Sequence, residues 1–254
     1  MIDLSIAIVA FNDEEDVKNA VESVESRTPA LVSKKIYVVD NSTMENRLSE
    51  LEGMYSDVTV LKTGDNLGFG GGHNYVLDKI DSKYHAIVNP DIILKEDAFS
   101  PLISFMDSCD CGMCVPRILD EEGALQSVYR RDLTVFDMFI RMFLKKGFEK
   151  RRAYHTMQDC DFSKTFNVPF AQGSFLVIRT ELFKKLNGFD PRFFLYMEDA
   201  DLCKRVNEVS SLMYYPGASV IHKWEKGSHK NKKLFKLHVS SMIKYFNKWG
   251  WKIS

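Results

Sequence analysis

Residues Phe193-Phe194-Leu195-Tyr196-Met197-Glu198-Asp199-Ala200-Asp201-Leu202 set three carboxylates within four positions, directly behind an aromatic run. On a helix, Glu198 and Asp201 share a face while Asp199 points elsewhere. Acidic residues suit the first turn of a helix, so one reading is a well-started helix. The crowding of large apolar side chains supports another. A carboxylate beside aromatic walls is partly desolvated, holds its proton more tightly and suits general-base work. A second acidic pair, Asp40 and Asp91, follows two separate apolar runs. One strand-end aspartate is a common turn former, but two such strands would bring both carboxylates to one rim.

The elements that must position these groups alternate. Leu4–Ala10 is a short, continuous apolar run, expected as a strand buried on both faces. Asn12 stands as a cap with Glu15 three residues on, and Val17, Ala20, Val21 and Val24 follow at helical spacing. Strands are expected at 35–40, 58–61 and 85–89, with a polar helix from about Glu45 to Tyr55 and another over 74–80. Strands separated by helices predict a mostly parallel α/β sheet. Ligands bind such sheets beyond the carboxyl ends of the strands. The residues there are Phe11-Asn12, Asp40-Asn41, the glycine segment near Gly68, and Asn89-Pro90-Asp91. The second half adds an amphipathic helix over 133–144, an antiparallel strand Phe175–Ile178 behind Gln172-Gly173-Ser174, and a helix 181–186 capped by Thr180 and closed by Gly188. A further strand ends at His222.

Gly68-Phe69-Gly70-Gly71-Gly72-His73 resembles half of a dinucleotide fingerprint. His73 occupies the place where glycine or alanine is required, and the segment follows the third strand rather than opening the first βαβ unit. A glycine segment beside a nucleotide or sugar fits better than a nicotinamide site.

Taken in order, Val39-Asp40-Asn41-Ser42, Asn66 to Asn74, Asn89-Pro90-Asp91, Gly188-Phe189-Asp190, Phe193 to Leu202 and Val220-Ile221-His222 resemble the signposts of family 2 glycosyltransferases with a GT-A fold. The likeness is closest to bacterial rhamnosyltransferases and runs from Ser5 to about His229. It implies one GT-A-like domain over 1–254: a nucleotide-binding half (1–91), an acceptor-facing half (92–223) and a basic aromatic helical tail (224–254). It also implies inverting, metal-dependent sugar transfer, with L-rhamnose from dTDP-rhamnose as donor and a glycan or lipid-linked glycan of a bacterial surface polysaccharide as acceptor. A UDP-hexose donor is the nearest alternative. A binding protein without turnover and a nicotinamide-dependent oxidoreductase also stay open.

By the same resemblance Asp40 reads the nucleotide base, with Phe11, Asn12 and Asn41 beside it. Gly68, Phe69, Gly70, Asn74 and Asn89 complete the nucleotide-sugar site. Asn89-Pro90-Asp91 stands where many relatives have Asp-x-Asp, so Asp91 is the anionic ligand for Mg²⁺ or Mn²⁺, and His222 can complete the metal site. Asp199 resembles the catalytic base, with Glu198 its rival. The chemistry asks for these types: a cation neutralises a departing diphosphate, and a base must take the acceptor hydroxyl proton.

Composition narrows the alternatives. Of 254 residues 45% are hydrophobic, which supports a full core, and a net charge of -1 argues against general nucleic-acid binding. Five cysteines, three of them in Cys109-Asp110-Cys111-Gly112-Met113-Cys114, lack paired zinc grammar and read as reduced thiols. No signal peptide or membrane-spanning run is expected, so the protein reads as cytoplasmic. The tail, with Trp224, Phe235, Tyr245, Phe246, Trp249 and Trp251 among lysines, reads either as a helix docked on the core or as a peripheral contact with the inner face of the plasma membrane.

Overall fold

The computed structural model describes residues 1–144, 146–223 and 232–253. The chain begins β1 (Ile2–Ala10), α1 (Glu14–Arg27), β2 (Lys34–Asp40), α2 (Leu51–Met54), β3 (Val58–Lys62), α3 (Gly68–Asn74) and β4 (Ser82–Val88). Next come β5 (Ile92–Ile93), α4 (Phe99–Ser108), β6 (Met113–Leu119), β7 (Tyr129–Arg130), α5 (Val135–Phe143) and α6 (Glu149–His155). The remainder is β8 (Phe166–Asn167), β9 (Phe170–Ala171), β10 (Phe175–Arg179), α7 (Thr180–Lys185), α8 (Glu198–Val209), β11 (Leu212–His222) and α9 (Lys232–Trp249).

Among the described residues one sheet runs β3-β2-β1-β4-β10-β6-β11-β5, with β8 pairing to β11. Strands β1 to β4 are parallel, as their continuous apolar runs require: Leu4, Ile6, Ala7 and Ile8 of β1 are wholly buried. The expected antiparallel strand is β10, inserted between β4 and β6 and antiparallel to both. Strands from both sides of residue 91 therefore share one sheet. The junction of β4 with β10 continues past the strand ends, where the Asn89 N–H donates to the Ser174 carbonyl at 2.8 Å.

Several local expectations are corrected. Asn12 does not cap α1. It takes a left-handed φ of 61°, and its side-chain oxygen accepts from the Thr43 and Met44 N–H groups at 3.1 Å each. That capture, with Asn46 donating to both oxygens of Asp40, draws residues 43–46 into a loop. The helix expected from Glu45 to Tyr55 shrinks to a 3-10 turn, Leu48–Glu50, and the single turn of α2, because side chain–backbone bonds compete with a helix for the same N–H groups. Thr180 is the first residue of α7 rather than its cap, and its hydroxyl meets Ser82.

The largest correction concerns the glycines. The expected open loop is itself helical, and the helix expected over 74–80 is a turn, so the order is reversed. Glycine is a poor helix former, but here tertiary packing overrides propensity. A Cβ on Gly70 would lie 2.9 Å from the Phe189 Cβ, and one on Gly72 would lie 2.6 Å from a Val9 methyl. His73, buried without a described polar partner, packs edge-on to Phe69 at 4.6 Å. The glycines let α3 lie close against β1 and the 188–190 turn.

The predicted tail begins in residues outside this description, Trp224 among them. Within α9, Tyr245 and Phe246 are buried, while Phe235 remains exposed, as does Trp251 beyond the helix end. No described helix is long and apolar enough to cross a membrane.

Gly72→Ala tests the packing account directly. The added methyl must displace a buried Val9 and Asn41, so unfolding free energy should fall by about 1–3 kcal/mol, measured by urea denaturation. An unchanged midpoint would show that α3 is held by something other than close approach.

Candidate active site

Asp199 enters its site through an unusual backbone. Tyr196 and Met197, immediately before α8, have φ values of 68° and 70°. Left-handed conformations are costly for bulky residues and persist only where the surroundings enforce them. They turn the chain so that the first residues of α8 meet the segment before β10. There the Gly173 N–H donates to Asp199 Oδ2 at 3.1 Å, and the Ala200 N–H donates to Oδ1 at 2.8 Å. Gly173 suits this close approach, since a Cβ there would stand 3.1 Å from the Asp199 Cβ and press on it. The carboxylate borders a cavity of about 220 Å³ whose lining includes Phe69, Asn89, Arg130, Arg141, Tyr196 and Glu198.

Glu198 and Asp199 are neighbours with different surroundings. Burial, and then the charge of Asp199, push the Glu198 carboxyl well above its ordinary value. One of its oxygens is buried without a partner in the protein. Burial also raises Asp199, but the N–H groups of Gly173 and Ala200, with Arg130 and Arg141, oppose the shift. The pair is therefore arranged to hold a proton on Glu198 and a negative charge on Asp199. Asp201 belongs to a different network: fully buried, it takes Arg205 Nε at 2.7 Å, Lys248 Nζ at 2.5 Å and Trp249 Nε1 at 2.9 Å. It ties α9 to α8.

On the other side of Asn89 lies an acidic rim lined by Asp13, Asp16, Asn89, Pro90, Asp91, Glu121 and Lys223. The structure brings Asp91 and His222 together, with His222 Nε2 3.2 Å from Asp91 Oδ2. Gln126 Nε2 donates to the His222 carbonyl, so its Oε1 is the acceptor facing His222 Nδ1 at 3.0 Å. With the ring's proton spoken for on Nδ1, a neutral His222 turns a lone pair toward Asp91. A metal-binding histidine is commonly oriented this way. Asp91 Oδ1 is buried with no partner in the protein. Burial raises the Asp13 carboxyl, and the charges of Asp16 and Asp91 add to the rise. An orphaned carboxylate oxygen, a presented imidazole and crowded acids fit a hard divalent cation. No group of three or more His, Cys, Asp or Glu side chains arranged for a metal occurs among the described residues, so the diphosphate and water would complete its coordination.

The other expected site residues fall into two groups. Phe11 and Asp40 lie at the ends of adjacent parallel strands, where Ala10 pairs with Asp40, and Phe11 is exposed. Asn12 braces the loop opposite them. Asn41 and Asn74 are committed to the protein: Asn41 donates to the Gly68 carbonyl, while Asn74 both donates to and accepts from the Phe189 backbone. Gly68 and Gly70 serve close packing, with a Cβ on Gly68 falling 2.0 Å from the Phe194 carbonyl oxygen. Phe69 and Asn89 reach the cavity.

Sequence reasoning missed Arg130, Arg141, Gln126 and Gly173. Arg130 sits on the two-residue strand β7, too short to carry a periodic signal. The glycine in Gln172-Gly173-Ser174 was visible, but its partner Asp199 is 26 residues away.

Comparison with known proteins gives the family and the fold. The family model described as Glycosyl transferase family 2 matches residues 5–187, and the chain belongs to that family. It is a glycosyltransferase, and its fold is of the GT-A type. It is similar to the rhamnosyltransferase WbbL of Escherichia coli K12, 29% identical over 94% of this chain and 91% of that protein. It is also similar to the N-acetylglucosaminyl-diphospho-decaprenol L-rhamnosyltransferase of Mycobacterium tuberculosis H37Rv, 24% identical over 86% and 75%. Among solved structures, GalNAc-T7 with UDP, GalNAc and Mn²⁺ superposes with a TM-score of 0.69 at 19% identity, over 91% of this chain and only 45% of that one. The mannosyltransferase PcManGT of Pyrobaculum calidifontis, in complex with GDP-Man and Mn²⁺, gives 0.65 at 13% identity, over 97% and 66%.

The two carboxyls predict a pH signature. A base works only when deprotonated, so a raised pKa moves the acidic limb of kcat/KM upward, above the ordinary carboxylate value of about 4. Because Glu198 holds its proton more tightly, Glu198→Gln should leave that limb in place. Loss of the limb in the pH–rate profile of Glu198→Gln would instead mark Glu198 as the group titrating in it.

Proposed function

We propose that this chain transfers L-rhamnose from dTDP-rhamnose, with inversion, to a hydroxyl of a glycan carried on a lipid. The observation that carries the reading is the arrangement around Asn89: an acidic rim suited to a cation and diphosphate on one side, and the Asp199 cavity on the other. The two rhamnosyltransferase relatives support the donor sugar, and the decaprenol-linked acceptor in the name of one supports the lipid. Phe11 and Asp40 would receive the base and Asn89 the sugar. The acceptor hydroxyl gives its proton to Asp199 as its oxygen bonds to the anomeric carbon. The bond from that carbon to the diphosphate breaks, and the nucleoside diphosphate leaves with the electron pair.

Asp91 and His222 would hold Mg²⁺ or Mn²⁺, which when bound neutralises the charge gathering on the departing diphosphate. A lipid-linked acceptor puts the work at the cytoplasmic face of a membrane, where the lysines of α9 would meet anionic headgroups. A UDP-sugar donor is the second reading, favoured by TarS of Staphylococcus aureus, a fold neighbour solved with UDP-GlcNAc.

Thermal shifts with dTDP and UDP, each with and without Mn²⁺, separate the donors, because a bound ligand raises apparent stability. Stabilisation by UDP and not dTDP would overturn the donor assignment. Asp199→Asn keeps the size of the side chain but cannot accept a proton. Single-turnover transfer should fall by roughly 10²–10⁴-fold with donor affinity nearly unchanged. A variant that turns over normally would show that Asp199 is not the base. Asp91→Asn should abolish both transfer and the Mn²⁺-dependent part of dTDP binding, measured by titration calorimetry. Full activity in excess EDTA would rule out the metal.

A further inference from the structure

The Asp199 cavity carries two arginines, Arg130 and Arg141, whose combined charge favours the ionised base and exceeds that one carboxylate. Arg130 is buried, at 6% exposure, and stacks over Phe170 with 5.4 Å between guanidinium and ring. Its hydrogen bond within the protein is a long one, 3.5 Å to the Ser127 carbonyl. Arg141, on α5, lines the same cavity from its open side. Neither closes an ion pair with a described carboxylate, and the acidic group whose charge acts on both is Asp199. Desolvating a guanidinium without an anionic partner is expensive. Arg130 bears that cost; Arg141 is exposed. The two face one cavity in which Asp199 is the single charged carboxylate, so positive charge is left as a station for an anion that arrives with a ligand. Arginine is suited to that task, since its planar fork meets phosphate oxygens bidentately.

The station is not the donor's. A donor diphosphate placed at Asp91 would lie among Asp13, Asp16 and Glu121 and needs a cation to be held there. The arginines lie across Asn89 from that rim and need no metal to attract phosphate. They stand on the acceptor's side, beside the base. The wall of the cavity then leads to an apolar surface. His238 of α9 lines the cavity, and Phe235, one helical turn earlier on the same face, packs against Phe143 with ring centroids 6.1 Å apart. Phe143 and Phe235 are both largely exposed.

We infer that Arg130 and Arg141 grip the diphosphate of a prenyl-diphosphate-linked acceptor, with Phe143 and Phe235 receiving the first part of its chain. The inference rests on the acceptor reading above and assigns residues to it. It makes the anionic linker, rather than the acceptor sugar alone, a determinant of which molecules are glycosylated.

Farnesyl diphosphate is the probe, titrated into the protein in EDTA so that the acidic rim cannot hold phosphate. Inorganic diphosphate and farnesol serve as the two half-ligands. Wild type should bind farnesyl diphosphate more tightly than either. Arg141→Gln, at the open side of the cavity, should weaken it about tenfold or more, and Arg130→Gln at least as much. Binding of dTDP with Mn²⁺, measured on the same preparations in buffer without EDTA, should be unchanged in both variants, which also reports that they are folded. Equal affinity of wild type and both arginine variants for farnesyl diphosphate, or loss of dTDP binding in place of it, would overturn the assignment. Equal affinity for inorganic and farnesyl diphosphate would overturn the prenyl part. Failure of wild type to bind dTDP with Mn²⁺ would count against the donor reading alone.

Discussion

A half-buried carboxylate held by two backbone amides is the constraint around which the rest is arranged. Asp199 keeps its charge in a protein-lined cavity only because the Gly173 and Ala200 N–H groups point at it and two arginines face it. Each donor comes from a different part of the fold. Ala200 is in the first turn of α8, and Gly173 is on the lead into β10, whose position is set by pairing with β4 and β6. Moving either segment by the width of a side chain would leave a desolvated anion unpaired, a cost of several kcal/mol.

That requirement explains why the surroundings are braced so heavily. On one side Asp201 joins α8 to α9 through Lys248 and Trp249, while Arg205 of α8 pairs with it and reaches the Leu186 and Gly188 carbonyls. On the other, Asn74 makes a two-way latch with the Phe189 backbone, and the glycines of α3 allow the close approach that lets it form. The strained residues Tyr196 and Met197 sit between these braces. Left-handed backbone at bulky side chains is affordable only where both flanks are fixed.

Charge is divided across Asn89. The rim gathers acids, with Asp91 Oδ1 orphaned and His222 beside it. The cavity on the other side sets two arginines against the charge of Asp199. Opposite polarity in the two cavities that share Asn89 would, on the proposed reading, give the two substrates distinct stations. On that reading the nucleoside diphosphate would leave on the Asp91 side while the acceptor hydroxyl would lose its proton toward Asp199. Positioning of this kind supplies much of the advantage an enzyme has over solution.

The alternation of apolar runs with helical spacing was enough to read four parallel strands and the strand-end residues Phe11, Asp40, Asn89 and Asp91, because continuous burial on both faces leaves a plain mark on composition. The ordered motif series was enough for the family. Local conformation around the site was less legible. Asn12 resembled a cap and residues 45–55 a helix, yet Asn12 spends its side chain on the Thr43 and Met44 N–H groups and Asp40 holds the Asn46 side-chain amide, so helical turns begin only at Leu48. The glycines resembled a loop and became a helix, because Phe189 and Val9 reward close approach more than helix propensity penalises it. Arg130 and Arg141 carried no readable signal, and Gly173 was visible only as the lead into a strand. Their meaning depends on distance to Asp199, and distances between segments remote in sequence are decided by how β10 slots between β4 and β6 and how α9 closes on α8. The amino-acid sequence by itself determined the sheet, the family and the carboxylates available for chemistry. Only the tertiary structure decided which carboxylate stays charged, because solvation and opposing charge are properties of a place rather than of a residue.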